Sequence, residues 1–212
     1  FNKEVENFFK KMNFPFTVGY GMTECAPIIA YDDWKTEKLY SCGKAAVNME
    51  MRIDSSDPAN VPGEIQIKGA NVFLGYYKNE DATKEVFTDD GWFRTGDMGV
   101  IDEDGCLFIK GRTKCMILGP SGQNIYPEEV ETVVNSQPYV VDSLVIEDNG
   151  GLTALIYPDF AAGARDGMNQ ETFVKYMEGT LPELNKELPN YAKLKKIEVM
   201  SEDFERTPKK SI

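Results

Sequence analysis

Tyr20-Gly21-Met22-Thr23-Glu24 brings together, in one short stretch, four groups that a nucleotide or its metal would use. They are an aromatic face able to stack on a base, a glycine that admits close backbone approach, a hydroxyl for a phosphate oxygen and a carboxylate hard enough for Mg²⁺. Downstream, Trp92-Phe93-Arg94-Thr95-Gly96-Asp97 places a carboxylate just after a threonine-glycine turn. Its two acceptor oxygens suit the vicinal hydroxyls of a sugar. Gly111-Arg112-Thr113-Lys114 then offers a rigid guanidinium fork for the same sugar or for a phosphate. Each motif also has a plainer reading: a capped turn after a strand, an aspartate bonding its own turn, a solvated surface cation.

The elements that must hold these groups are legible in the spacing. Val5, Phe8, Phe9 and Met12 recur at helical intervals behind Asn2, which predicts an opening helix with one buried face, ended by Asn13 and Pro15. A β-prone run beginning at Phe16 leads into the loop at Gly21. Residues 39–110 read as short alternating strands divided by Gly, Asn and Asp turns, with a short helical turn at 81–86 and a hairpin over 100–109 turned by Asp104-Gly105. A small β-barrel or sandwich is the expected product. Past Gly111, Pro127 opens a helix with Val130, Val133 and Val134 on one side. Strands follow at 139–146 and 152–157, joined by Asp148-Asn149-Gly150-Gly151. A helical stretch over 170–188 is broken at Pro182, and a last strand lies at 195–200.

Composition removes several classes of function. The 212 residues carry a formal charge of -12, the wrong sign for a protein that lives on phosphate backbones, so nucleic acid is not an expected partner. With no histidine, Ser-His or Cys-His nucleophile pairs and histidine-ligated metals cannot be built. Cys25, Cys42, Cys106 and Cys115 stand singly and read as reduced, buried filler in a cytoplasmic protein. No apolar run approaches the roughly 20 residues of a transmembrane helix. The chain opens at Phe1 and is expected to be a piece of a longer one.

Taken in order, Tyr20 to Glu24, Gly63-Glu64-Ile65-Gln66-Ile67-Lys68-Gly69 with Gly75-Tyr76-Tyr77, Trp92 to Asp97, Gly111 to Lys114, and Gly119-Pro120-Ser121-Gly122-Gln123-Asn124-Ile125-Tyr126-Pro127 resemble the core motifs of the adenylate-forming superfamily. Among its branches the wording is most similar to the C-terminal part of a long-chain fatty acid CoA ligase. The resemblance implies an α+β chain. Residues 1–111 would form the barrel-like, β-rich end of a large AMP-binding domain, and residues 112–212 a small mobile domain with a three-stranded sheet and helices, hinged near Lys114.

It also implies roles. Tyr20 would stack on adenine, with Gly21 and Met22 lining the same loop; Thr23 would touch the ATP phosphates and Glu24 would ligate Mg²⁺. Asp97 would hold the ribose with Arg112 nearby, and Gly122 would border the passage for the pantetheine arm of CoA. The superfamily ends in a Gly-Lys motif whose lysine serves adenylation. An ungapped match puts Ser211 at its place, so Lys210 or Lys209 is the expected substitute. The implied reaction joins a fatty acid to CoA by way of acyl-AMP, using ATP and Mg²⁺. Transfer to a carrier protein, or a non-catalytic module that kept the fold, are the alternatives. Peripheral membrane contact would suit a fatty substrate. The phosphate loop and most of the acyl pocket of the superfamily lie upstream of these motifs, so this stretch alone is expected to show little or no ligase activity.

Overall fold

The computed structural model of the protein describes residues 3–119 and 122–206. They divide into two compact units, Phe1–Lys114 and Cys115–Ile212.

The first unit opens with helix α1 (Lys3–Lys11). Its apolar side is not the buried one: Phe8 is 57% and Met12 62% exposed, whereas Glu6 is buried. The periodicity correctly groups the residues that share a face, but tertiary hydrogen bonds decide which face turns inward. Glu6 accepts from the Tyr40 backbone N–H, and Asn7 donates to the Tyr40 hydroxyl, which turns the polar side toward the protein. Phe9 packs against Phe14 and Phe16. The expected strand at Phe16 starts later, as β1 (Tyr20–Gly21), which pairs with β2 (Ile28–Tyr31); β2 in turn pairs with β3 (Lys44–Ala45).

Strands β4 (Met49–Asp54), β5 (Gly63–Gly69), β6 (Phe93–Ile101) and β7 (Leu107–Arg112) form an antiparallel meander. Helix α2 (Glu80–Glu85) lies between β5 and β6 and is capped by Asn79, whose side chain accepts from the Ala82 N–H at 3.1 Å. Two backbone bonds, Cys42 N–H to Leu107 O and Leu107 N–H to Gly43 O, join the free edge of β7 to the segment entering β3. Both sheets therefore enclose one core, in which Ile29, Ile65, Ile67, Phe93 and Leu107 are fully buried. Burying each such side chain contributes about 1.5–3 kcal/mol.

In the second unit a small hairpin of β8 (Ile117–Leu118) and β9 (Asn124–Ile125) precedes α3 (Pro127–Val134). Pro127 occupies the first turn of α3, where its missing N–H costs nothing. Strands β10 (Val140–Asp148) and β11 (Gly151–Pro158) form an antiparallel hairpin, and β11 pairs in parallel with β12 (Leu194–Val199). The crossover between β11 and β12 is made of α4 (Phe160–Arg165), α5 (Gln170–Gly179) and α6 (Leu181–Glu187). Pro182 sits in the first turn of α6, where the sequence places the break. Helix α4 was not foreseen; it is short and started by the Asp159 side chain, which accepts from the Ala162 N–H at 2.9 Å. Val130, Val134, Ile156, Phe173, Met177 and Leu184 fill the core against the sheet. Among the described residues no helix is long and apolar enough to cross a membrane.

Candidate functional site

Residues far apart in sequence meet at the start of β1. The Tyr20 hydroxyl donates to Asp97 Oδ2 at 2.6 Å. Tyr20 is only 7% exposed, with its ring in the core of the first unit, so the polar end of the side chain is what reaches the site. Burial above all, and then the neighbouring Asp97 charge, pushes the phenol far above the usual tyrosine range. Tyr20 therefore stays a proton donor.

Asp97 is aimed by a bulge. Glu64 pairs with Met98 and Gln66 with Arg94, so Thr95, Gly96 and Asp97 of β6 all face Ile65 of β5. Such insertions commonly redirect a side chain. Thr95 secures the bulge by donating its hydroxyl to Ile65 O at 2.8 Å and accepting the Asp97 N–H at 3.1 Å. Across the next strand pair Asp97 faces Arg112, whose Nε lies 3.5 Å from Asp97 Oδ1. A carboxylate can accept about four hydrogen bonds, so these two partners leave acceptor capacity toward solvent.

Gly21 does admit a close approach, but of its own loop: a Cβ there would lie 1.9 Å from Pro27 O, which accepts the Met22 N–H at 2.8 Å. Met22 is half-buried and Thr23 is exposed at the head of a single 3₁₀ turn, Thr23–Cys25. In that turn Glu24 is half-buried. Its backbone carbonyl accepts from Phe73 N–H, and its Oε1 accepts from the Tyr76 hydroxyl at 3.2 Å. Burial and then the Glu24 charge raise the Tyr76 phenol. In the sequence Tyr76 is one residue of Gly75-Tyr76-Tyr77, and nothing local tells that its hydroxyl reaches Glu24. Among the described residues no group of three or more acidic or thiol side chains could cage a metal. A lone carboxylate of this kind suits Mg²⁺, which is ordinarily held by one or two carboxylates together with substrate phosphates and water.

Lys114 is exposed in a 3₁₀ turn, Thr113–Cys115. Gly122, in the second unit, closes the β8–β9 turn with φ of 80° and donates its N–H to Gly119 O at 2.9 Å. Lys209, Lys210 and Ser211 lie outside the described residues. Cys25, Cys42 and Cys106 are buried as expected, and burial pushes the Cys25 and Cys42 thiols up to about 11. Cys115 departs from the expectation and is exposed, because it ends a surface turn rather than a core strand. The structure thus unites Tyr20, Asp97 and Arg112, and holds Glu24 separately through Tyr76.

Residues 1–77 match the family described as AMP-binding enzyme, and residues 116–212 match AMP-binding enzyme C-terminal domain. A 2-succinylbenzoate–CoA ligase of Bacillus cytotoxicus is 42% identical over 132 residues, covering 60% of this chain and 27% of the relative. A long-chain-fatty-acid–CoA ligase of Escherichia coli is 35% identical over 163 residues, covering 74% of this chain and 29% of the relative. Among solved structures, the O-succinylbenzoate coenzyme A synthetase of Bacillus subtilis in complex with ATP and magnesium ion superposes with a TM-score of 0.82 at 29% identity, over 99% of this chain and 42% of that one. The chain therefore spans less than half the length of each of these proteins.

Proposed function

The chain belongs to the AMP-binding, adenylate-forming enzyme superfamily and carries its C-terminal part, and from that premise we propose that the protein containing it is an AMP-forming acid–CoA ligase. In the first half-reaction a carboxylate attacks the α-phosphorus of ATP; the bond to pyrophosphate breaks and an acyl-adenylate forms. In the second, the CoA thiol attacks the acyl carbon, AMP leaves and the thiol proton passes to solvent or a base.

The convergence of Tyr20, Asp97 and Arg112 is the observation that carries this reading. An anionic acceptor beside a guanidinium fork, both on strands and the acceptor fixed by a core phenol, would suit a ribose diol and its phosphate. Glu24, steadied by Tyr76, would hold Mg²⁺, which when bound offsets charge as pyrophosphate departs. Thr23, exposed next to it, would donate to a phosphate oxygen. Lys210 or Lys209 would supply the cation at the α-phosphate, and the second unit would turn about Lys114 between half-reactions, with Gly122 beside the thiol's path.

For the acid, we read a long-chain fatty acid, supported by the E. coli relative named above; the higher identity to the succinylbenzoate ligase favours an aromatic dicarboxylate as the second reading. ATP–pyrophosphate exchange and thioester formation by the full-length protein, with palmitate and with 2-succinylbenzoate, test both. Exchange dependent on one acid and thioester formation on CoA is the expected result. Exchange with neither acid nor any other carboxylate would refute the proposal, and acyl transfer only to a carrier-protein thiol would replace its second half.

A further inference from the structure

Resting on the nucleotide reading above, we propose that the Tyr20 hydroxyl is a positioning group for Asp97 and, through it, sets the protein's preference for a nucleotide that carries a 2′-hydroxyl.

The geometry is specific. The donor is anchored at its far end, because the Tyr20 ring is packed into the core of the first unit and only 7% exposed. The acceptor is anchored by the bulge that Thr95 fixes to Ile65. A 2.6 Å bond between two anchored groups stops the carboxylate from rotating about its last torsion. Oδ2 is thereby assigned to the phenol and Oδ1 to the side where Arg112 stands. A carboxylate locked in this way presents its remaining lone pairs in one direction, which is what recognition of adjacent hydroxyls on a five-membered ring requires. The raised phenol pKa agrees with a permanent donor. With so little of the ring exposed, the hydroxyl rather than an open aromatic face is the group by which Tyr20 reaches the site.

The test uses the full-length protein that contains this chain, titrated with AMP and with 2′-deoxyAMP. The unaltered protein should prefer AMP. Tyr20→Phe keeps the ring and its packing and removes only the donor, so AMP binding should weaken about tenfold, the size of one hydrogen bond to a charged group, while binding of 2′-deoxyAMP, which offers Asp97 only one of the two hydroxyls, should weaken less. Asp97→Ala should abolish the preference, and Tyr20→Phe added to Asp97→Ala should cost nothing more. Equal AMP affinity in Tyr20→Phe and the unaltered protein would overturn this inference alone, as would equal weakening toward both nucleotides. If Tyr20→Phe does not fold, a preference that survives in Asp97→Ala overturns it instead. No AMP binding by the unaltered protein would overturn the proposed function and this inference with it.

Discussion

Asp97 and Arg112 stand directly opposite one another on β6 and β7, so the hairpin itself brings an anion and a cation to one spot. The Arg112 side chain is 71% exposed while that of Asp97 is 17% exposed. An ion pair so open to water adds at most about 1 kcal/mol to stability. Arg112→Ala should therefore leave the melting temperature nearly unchanged and yet weaken AMP binding by the full-length protein. A large drop in melting temperature with unaltered binding would show that the pair is structural.

Gly21→Ala tests the loop that carries Glu24. The new methyl would collide with the Pro27 carbonyl, a backbone atom that cannot swing aside, and would threaten the Met22–Pro27 bond. Forced overpacking of this kind costs about 1–3 kcal/mol. Chemical denaturation should show the loss in the first unit, and a variant as stable as the parent would refute the tight approach.

What could be read from the sequence was whatever acts within a few residues. Pro127 and Pro182 mark helix starts because a proline ring fits the first helical turn wherever the rest of the chain lies. The Asp148 to Gly151 turn marks a hairpin because Asn149 and Gly150 take the positive φ it needs. Helix α1 shows the limit: its spacing gives a face but not what covers it, and the contacts to Tyr40 reverse the expectation. The site was legible as a set of candidate residues, not as contacts. That Tyr20 reaches Asp97, that Thr95 to Asp97 form a bulge, and that Tyr76 holds Glu24 all depend on strand register set across the whole first unit.

Gly122→Leu separates the two half-reactions. At φ of 80° a residue with a Cβ is strained by about 1–2 kcal/mol. The space around the position is open, with no heavy atom of the described residues beyond its chain neighbours within 4 Å of an added Cβ, so the β8–β9 hairpin should persist. In the full-length protein, pyrophosphate exchange should continue and thioester formation should slow, because the larger side chain stands in the proposed path of the thiol. Equal loss of both steps would remove Gly122 from that path.

Glu131 on α3 makes the stability of the second unit depend on pH. It is partly buried, its Oε1 accepts the Val145 N–H at 2.8 Å, and Glu128 and Asp142 lie near it, the latter bonded to Arg206. Burial first, then the two neighbouring carboxylates, push its pKa up to about 7 from 4.5, against the opposing effect of the Val145 N–H. Between about 4.5 and about 7 the folded state retains a proton that the unfolded state has released, so stability falls as pH rises through that window and is level above it. Glu131→Gln keeps an acceptor for Val145 and never ionises. It should flatten this slope and, allowing for the partial access of water, gain on the order of 1 kcal/mol at pH 8. Denaturant midpoints measured from pH 4 to 9 would check it, and parallel curves for the parent and Glu131→Gln would show that this carboxyl titrates as an ordinary surface acid.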